Sequence, residues 1–140
     1  MGREELDLRK DWLRLWPGHA TMVEPAKGST FGTPDASLFH AEFSGWVEFK
    51  VAEASGDFKC RAPQLRWHRA FLEAGGSQAL FAVLDREGFW LLPSYLVAPK
   101  EPNLTRNVYK LGGRKVRWLE ADPFALPLMC SRIAELNRGK

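Results

Sequence analysis

Cysteine is scarce in this sequence. Cys60 and Cys130 are its two cysteines, seventy residues apart and each without a CxxC partner. That spacing argues against a zinc site and a disulfide framework, and fits two reduced thiols in an intracellular protein. Long apolar runs are missing as well, so nothing approaches the roughly 20 residues needed to span a bilayer. Met1-Gly2-Arg3-Glu4-Glu5 carries no apolar signal region, and a soluble, non-exported chain without membrane association is expected. There is no internal repeat or low-complexity tract. No helix-turn-helix or zinc-finger pattern marks a separate sequence-reading domain.

What is present is an ordinary globular balance, 45% hydrophobic and 26% charged over 140 residues, most simply one domain spanning 1–140. The net charge of +3 and pI near 9.0 permit nucleic-acid binding without requiring it.

Leu8, Trp12 and Leu15 recur at helical spacing within residues 3–16, and Pro17-Gly18 ends that helix. A short strand is expected over 19–25, then a loop, then a hairpin of strands over 35–41 and 45–52. Residues 54–59 read as a polar loop. A second helix over 61–74 has Pro63 in its first turn and Gly75-Gly76 after its end. Two further strands, 78–85 and 88–93, flank the turn Arg86-Glu87. A basic, turn-rich stretch follows to about residue 118, then a helix over 123–137. Helices interleaved with a mixed sheet make this an α/β fold.

The chemistry lies in the hairpin. Strand side chains alternate, so in "GWVEFKV" Val47, Phe49 and Val51 face one side while Trp46, Glu48 and Lys50 face the other. Taken alone, Glu48 and Lys50 are compatible with an ordinary solvated face. Asp35 opens the preceding strand after a Gly-Thr-Pro turn, and the hairpin brings its carboxylate beside Glu48. Converging carboxylates repel unless a cation lies between them, and oxygen ligands favour Mg²⁺ or Mn²⁺. A neighbouring lysine would face a bound water or a phosphate oxygen, an arrangement suited to phosphodiester hydrolysis.

"GTPD…VEFK…RAPQLRWHRAFLEAGG" resembles the PD-(D/E)XK nuclease superfamily, and within it the VRR-NUC and Holliday-junction-resolvase-like group. Pro34-Asp35 matches the PD element, Glu48-Phe49-Lys50 the ExK element, and Gln64 the glutamine that opens the following helix. The resemblance covers about residues 1–93; residues 94–140 form a basic extension with no counterpart. It implies a restriction-endonuclease-like αβββαβ core, a central mixed sheet flanked by helices. It further implies that Asp35, Glu48 and the Phe49 carbonyl ligate Mg²⁺, with Mn²⁺ substituting, and that Lys50 acts on the water. Gln64 would orient Lys50 or the scissile phosphate. Members often add a first-helix glutamate; Glu5 shares the face of Leu8 and Trp12 and is preferred to Glu4.

Arg61, Arg66 and His68 crowd the second helix and are candidates for DNA contact or for a solvated face. Lys27 and Ser29, in the loop before Asp35, are candidates for the DNA backbone. Arg106, Lys110, Arg114, Lys115 and Arg117 form a basic stretch with Tyr109 and Trp118 among them, fitting phosphate contact with base stacking, or a solubilising surface. Six tryptophans are many for this length, and "GFWLLPSYLV" (88–97) needs covering, by core or by a subunit partner.

The function expected from the resemblance is a Mg²⁺-dependent endonuclease acting on branched DNA as a homodimer in the cytoplasm or on the nucleoid. The alternatives are a nuclease for flaps, nicks or ends, and a DNA-binding protein that keeps the fold without cleaving.

Overall fold

A computed structural model describes residues 3–23, 32–98 and 104–140. Its elements are α1 (Arg3–Leu15), β1 (His19–Met22), β2 (Ala36–Phe39), β3 (Ser44–Val51), β4 (Asp57–Lys59), α2 (Ala62–Glu73), β5 (Ala79–Leu84), β6 (Gly88–Pro93), α3 (Ser94–Val97), β7 (Thr105–Asn107), β8 (Lys115–Arg117) and α4 (Leu126–Glu135), with a 3₁₀ turn at Trp118–Glu120. Six strands form one sheet in the order β1-β2-β3-β5-β6-β8, and β4 and β7 form a second, two-stranded sheet. Within the large sheet β3 and β5 run parallel and every other pair is antiparallel. A parallel pair needs a crossover, and α2 lies in that connection, over the face of β3 that carries Glu48.

β5 is buried along its whole length, as a strand covered on both faces must be. Leu80, Ala82 and Leu84 enter one core with Val47, Phe49, Leu8, Trp12, Leu126 and Cys130. Phe81 and Val83 enter the other with Phe58, Leu65, Trp90, Leu92, Val97 and Val108. The period-two alternation thus divides two cores, one under α1 and α4, the other under α2 and α3.

Trp12 is fully buried, stacked on Trp16 at 6.0 Å and edge-on to Phe49 at 5.4 Å and Phe89 at 6.3 Å. Trp16, not Leu15, is the deeply buried residue at the end of α1. This packing fixes α1 against β3 and carries Glu5 and Arg9 toward Asp35. Trp12→Ala should cost about 3–5 kcal/mol, measurable by urea denaturation; a loss below about 1 kcal/mol would mean that Trp12 does not dock α1.

The first helix, the β2–β3 hairpin, α2 and the β5–β6 pair all form where the sequence leads one to expect them. The polar loop at 54–59 is a correction. Asp57–Lys59 pairs with Thr105–Asn107 as a short sheet because Phe58 is drawn into the second core. The turn-rich stretch after residue 93 also contributes β8 to the main sheet and α3 beneath it. Gly88–Pro93 is buried throughout, so cover for this apolar segment comes from the chain itself. Both cysteines are free and buried, and burial pushes the Cys60 thiol up to about 11.

Candidate active site

The hairpin register places the two acids opposite each other. Ala36 pairs with Val47, so the next position of the same register sets Asp35 against Glu48, where side chains on one face are neighbours. The preceding turn is held in place at Gly32, which has φ +71; a Cβ there would lie 2.1 Å from the Pro63 carbonyl oxygen and 2.6 Å from the Gln64 nitrogen. Only glycine tolerates both the left-handed backbone and that approach. The Gly-Thr-Pro-Asp segment therefore sits against the start of α2.

Asp35 Oδ2 accepts the Phe49 N–H at 2.8 Å, on the edge of β3 that β2 no longer covers. A strand residue's N–H and C=O face the same neighbour, so the Phe49 carbonyl opens on the Asp35 side. Asp35 Oδ1 lies 3.4 Å from Arg9 Nη2, which is also 3.3 Å from Glu5 Oε1. Glu48 is fully buried; its Oε2 accepts from Gln64 Nε2 at 3.1 Å. Gln64 Oε1 accepts from Lys50 Nζ at 2.5 Å and from the Arg61 N–H at 3.1 Å. The Gln64 amide is thus matched at both ends, its oxygen to donors and its nitrogen to a carboxylate. Asp35, Glu48, Lys50 and Gln64 form one cluster.

Burial first, then the charge of Asp35 and a hydrogen bond with its carboxyl, push the Glu48 carboxyl well above the usual range; Lys50 and Arg9 oppose this with less effect. Glu48 Oε1 has no hydrogen-bond partner among the described residues. A buried carboxylate facing a second one is an electrostatic arrangement that a hard cation would relieve. No group of three His, Cys, Asp or Glu side chains able to hold an ion occurs among the described residues. The donors instead fit Mg²⁺, which is commonly held by one or two carboxylates with waters and substrate phosphates completing its shell. Of the cluster, Lys50 reaches a cleft of about 300 Å³, whose lining also includes Glu5, Glu53, Asp57 and Lys59. A larger cavity of about 530 Å³, between β6 and α4, contains none of the cluster residues.

No family model and no curated protein matches the chain. Among solved structures it is similar to Hjc, a Holliday junction resolvase from the archaeal hyperthermophile Archaeoglobus fulgidus. The TM-score is 0.57 at 22% identity, over 81% of this chain and 93% of that one. The fold is restriction-endonuclease-like. Here the main-sheet strands and their helices run α1-β1-β2-β3-α2-β5, with β4 inserted before α2, and the acidic cluster lies on the β2–β3 hairpin.

The remaining candidates divide. Glu5 lines the cleft and pairs with Arg9, whereas Glu4 turns to Arg86 at 2.9 Å on the surface. Arg61, Arg66, Lys110, Arg114 and Arg117 are exposed. Lys27 and Ser29 lie outside the described residues. Two DNA-contact expectations, His68 and Arg106, are corrected. His68 is fully buried because the Gln64 face of α2 turns toward β3, and its pKa falls to about 3 through burial first and the Lys50 charge second. Arg106 is buried, donating from Nε to the Val97 carbonyl at 2.8 Å. Lys115 is half-buried, tied to Asp85 at 2.8 Å and lying 4.8 Å from the Trp90 ring.

Arg9 is the site residue that sequence reasoning passed over. Its spacing of four from Glu5 puts both on one helical face, a signal available in the sequence, but its contact with Asp35 depends on how α1 docks. No helix among the described residues is long and apolar enough to cross a membrane.

Proposed function

We propose that this protein is a Mg²⁺-dependent endonuclease of VRR-NUC type that hydrolyses phosphodiester bonds in branched DNA, acting as a homodimeric Holliday-junction resolvase in the cytoplasm or on the nucleoid. The observation carrying this reading is the convergence of Asp35, Glu48, Lys50 and Gln64 on a restriction-endonuclease-like fold. Similarity to Hjc supports the choice of junctions over other DNA forms.

Asp35, Glu48 and the Phe49 carbonyl would hold the ion. Bound there, it would acidify a water and offset charge on the phosphate. Lys50, tethered by Gln64, holds its ammonium beside the carboxylates, where it positions the attacking water and balances charge developing on the phosphate. Gln64 is a positioning residue: it is buried and its amide is already engaged with Lys50, Glu48 and the Arg61 amide. Exposed Arg61, Arg66, Lys110, Arg114 and Arg117 supply backbone contacts, which orient DNA without reading its sequence.

Titration calorimetry with Mn²⁺ tests the metal assignment. Asp35→Ala should lose measurable binding while Lys50→Ala retains it. Loss with Lys50→Ala and retention with Asp35→Ala would reverse the roles.

A further inference from the structure

Next to Glu48, outside the lining of the cleft, lies a second polar pair. His68 is four residues after Gln64 on α2, and Ser94 begins α3 directly after β6; both are fully buried. His68 Nδ1 is 2.8 Å from Ser94 Oγ. Its Nε2 is 3.9 Å from Glu48 Oε1, roughly 0.7–1.2 Å longer than an N–H···O hydrogen bond. Neither Nε2 nor Oε1 has a hydrogen-bond partner among the described residues. Two buried polar atoms of complementary kind facing each other without other partners need an explanation.

We propose that His68 is a positioning residue for Glu48, with Ser94 setting its tautomer. The Ser94 hydroxyl donates to Nδ1, so the neutral ring carries its proton on Nε2 and presents that N–H to Oε1. The direction follows from the Glu48 end. A metal-ligating carboxylate is deprotonated and therefore only accepts hydrogen bonds, so an unprotonated Nε2 would set lone pair against lone pair in a dry site. The hydroxyl is the adaptable member, able to donate or accept. Packing holds the ring in place, with Phe81 at 4.4 Å and Trp67 at 5.1 Å between centroids. With Gln64 on Oε2 and His68 directed at Oε1, both carboxylate oxygens are oriented. Such outer groups typically affect metal affinity or activity 10–100-fold.

The inference rests on the proposed metal role of Glu48, and two measurements separate their failures. Nitrogen-15 NMR of the His68 ring, with and without Mg²⁺, should show the Nε2–H tautomer with Mg²⁺ present, and Ser94→Ala should weaken that preference; an Nδ1–H ring would overturn the proposal. Mn²⁺ calorimetry should show binding weakened about 10-fold or more in His68→Phe, which keeps the aromatic packing. His68→Gln, whose amide nitrogen reaches the place of Nε2, should recover part of the loss. His68→Phe affinity within twofold of wild type would also overturn it. If wild-type protein bound no Mn²⁺, the metal reading would fall, and the NMR result would still decide whether His68 donates to Glu48.

Discussion

Glu48→Gln is expected to abolish cleavage and to make the metal-free protein more stable at neutral pH. The first effect follows because Glu48 is one of two proposed carboxylate ligands. A bound ion contributes several kcal/mol to the transition state and about 1.4 kcal/mol is tenfold in rate, so the loss should reach roughly a thousandfold. The second follows from burial: the carboxylate is out of water and faces Asp35. A carboxamide removes the charge, and relieving one such buried group is worth on the order of 1–3 kcal/mol.

The pH dependence has a definite sign. The folded-state pKa of Glu48 lies well above its ordinary value of 4.5, so its contribution to stability is complete below 4.5 and is lost as pH rises through the folded pKa. His68 acts oppositely. With a folded pKa near 3 against an ordinary 6.5, its contribution is complete above 6.5 and is lost as pH falls toward 3. Urea denaturation across pH without metal should therefore show Glu48→Gln removing the loss at higher pH while leaving the acid loss. A variant less stable than wild type at neutral pH would mean that the native carboxylate is compensated.

Gln64→Leu is expected to lower kcat by about 10–100-fold with little change in KM for DNA. The side chain is buried, so it does not reach substrate directly. Its loss releases Lys50 Nζ, the Arg61 N–H and Glu48 Oε2 together. Gln64→Glu should be worse, because it keeps the acceptors, removes the donor to Glu48, and adds a third carboxylate. A change confined to KM would instead place Gln64 on the DNA.

Much of this was legible in the sequence because local rules and the fold agree. The alternation in "GWVEFKV" separates Glu48 and Lys50 from Val47 and Phe49. The turn before Asp35 sets the hairpin, and Pro63 and Gly75 bound α2. Other features had no local signal. β4 and β7 are three residues each, too short for a period, and Asp57 pairs with Asn107, 50 residues away, because Phe58 is buried. His68 and Arg106 carry groups usual on surfaces, and only the docking of α2 over β3 and of β7 against β4 takes them inside. Arg9 showed its partner on the helix, Glu5, but not the one across it, Asp35.

The central claim is that Asp35, Glu48 and Lys50 cut branched DNA with a divalent ion. Its most direct test is cleavage of a labelled four-way junction beside linear duplex and flap substrates, with and without Mg²⁺, with Glu48→Ala as control. Paired cuts across the junction that require Mg²⁺ and vanish in Glu48→Ala are the predicted result. Cuts in flaps or ends alone would contradict the junction assignment, and DNA binding without any cleavage would contradict the enzyme.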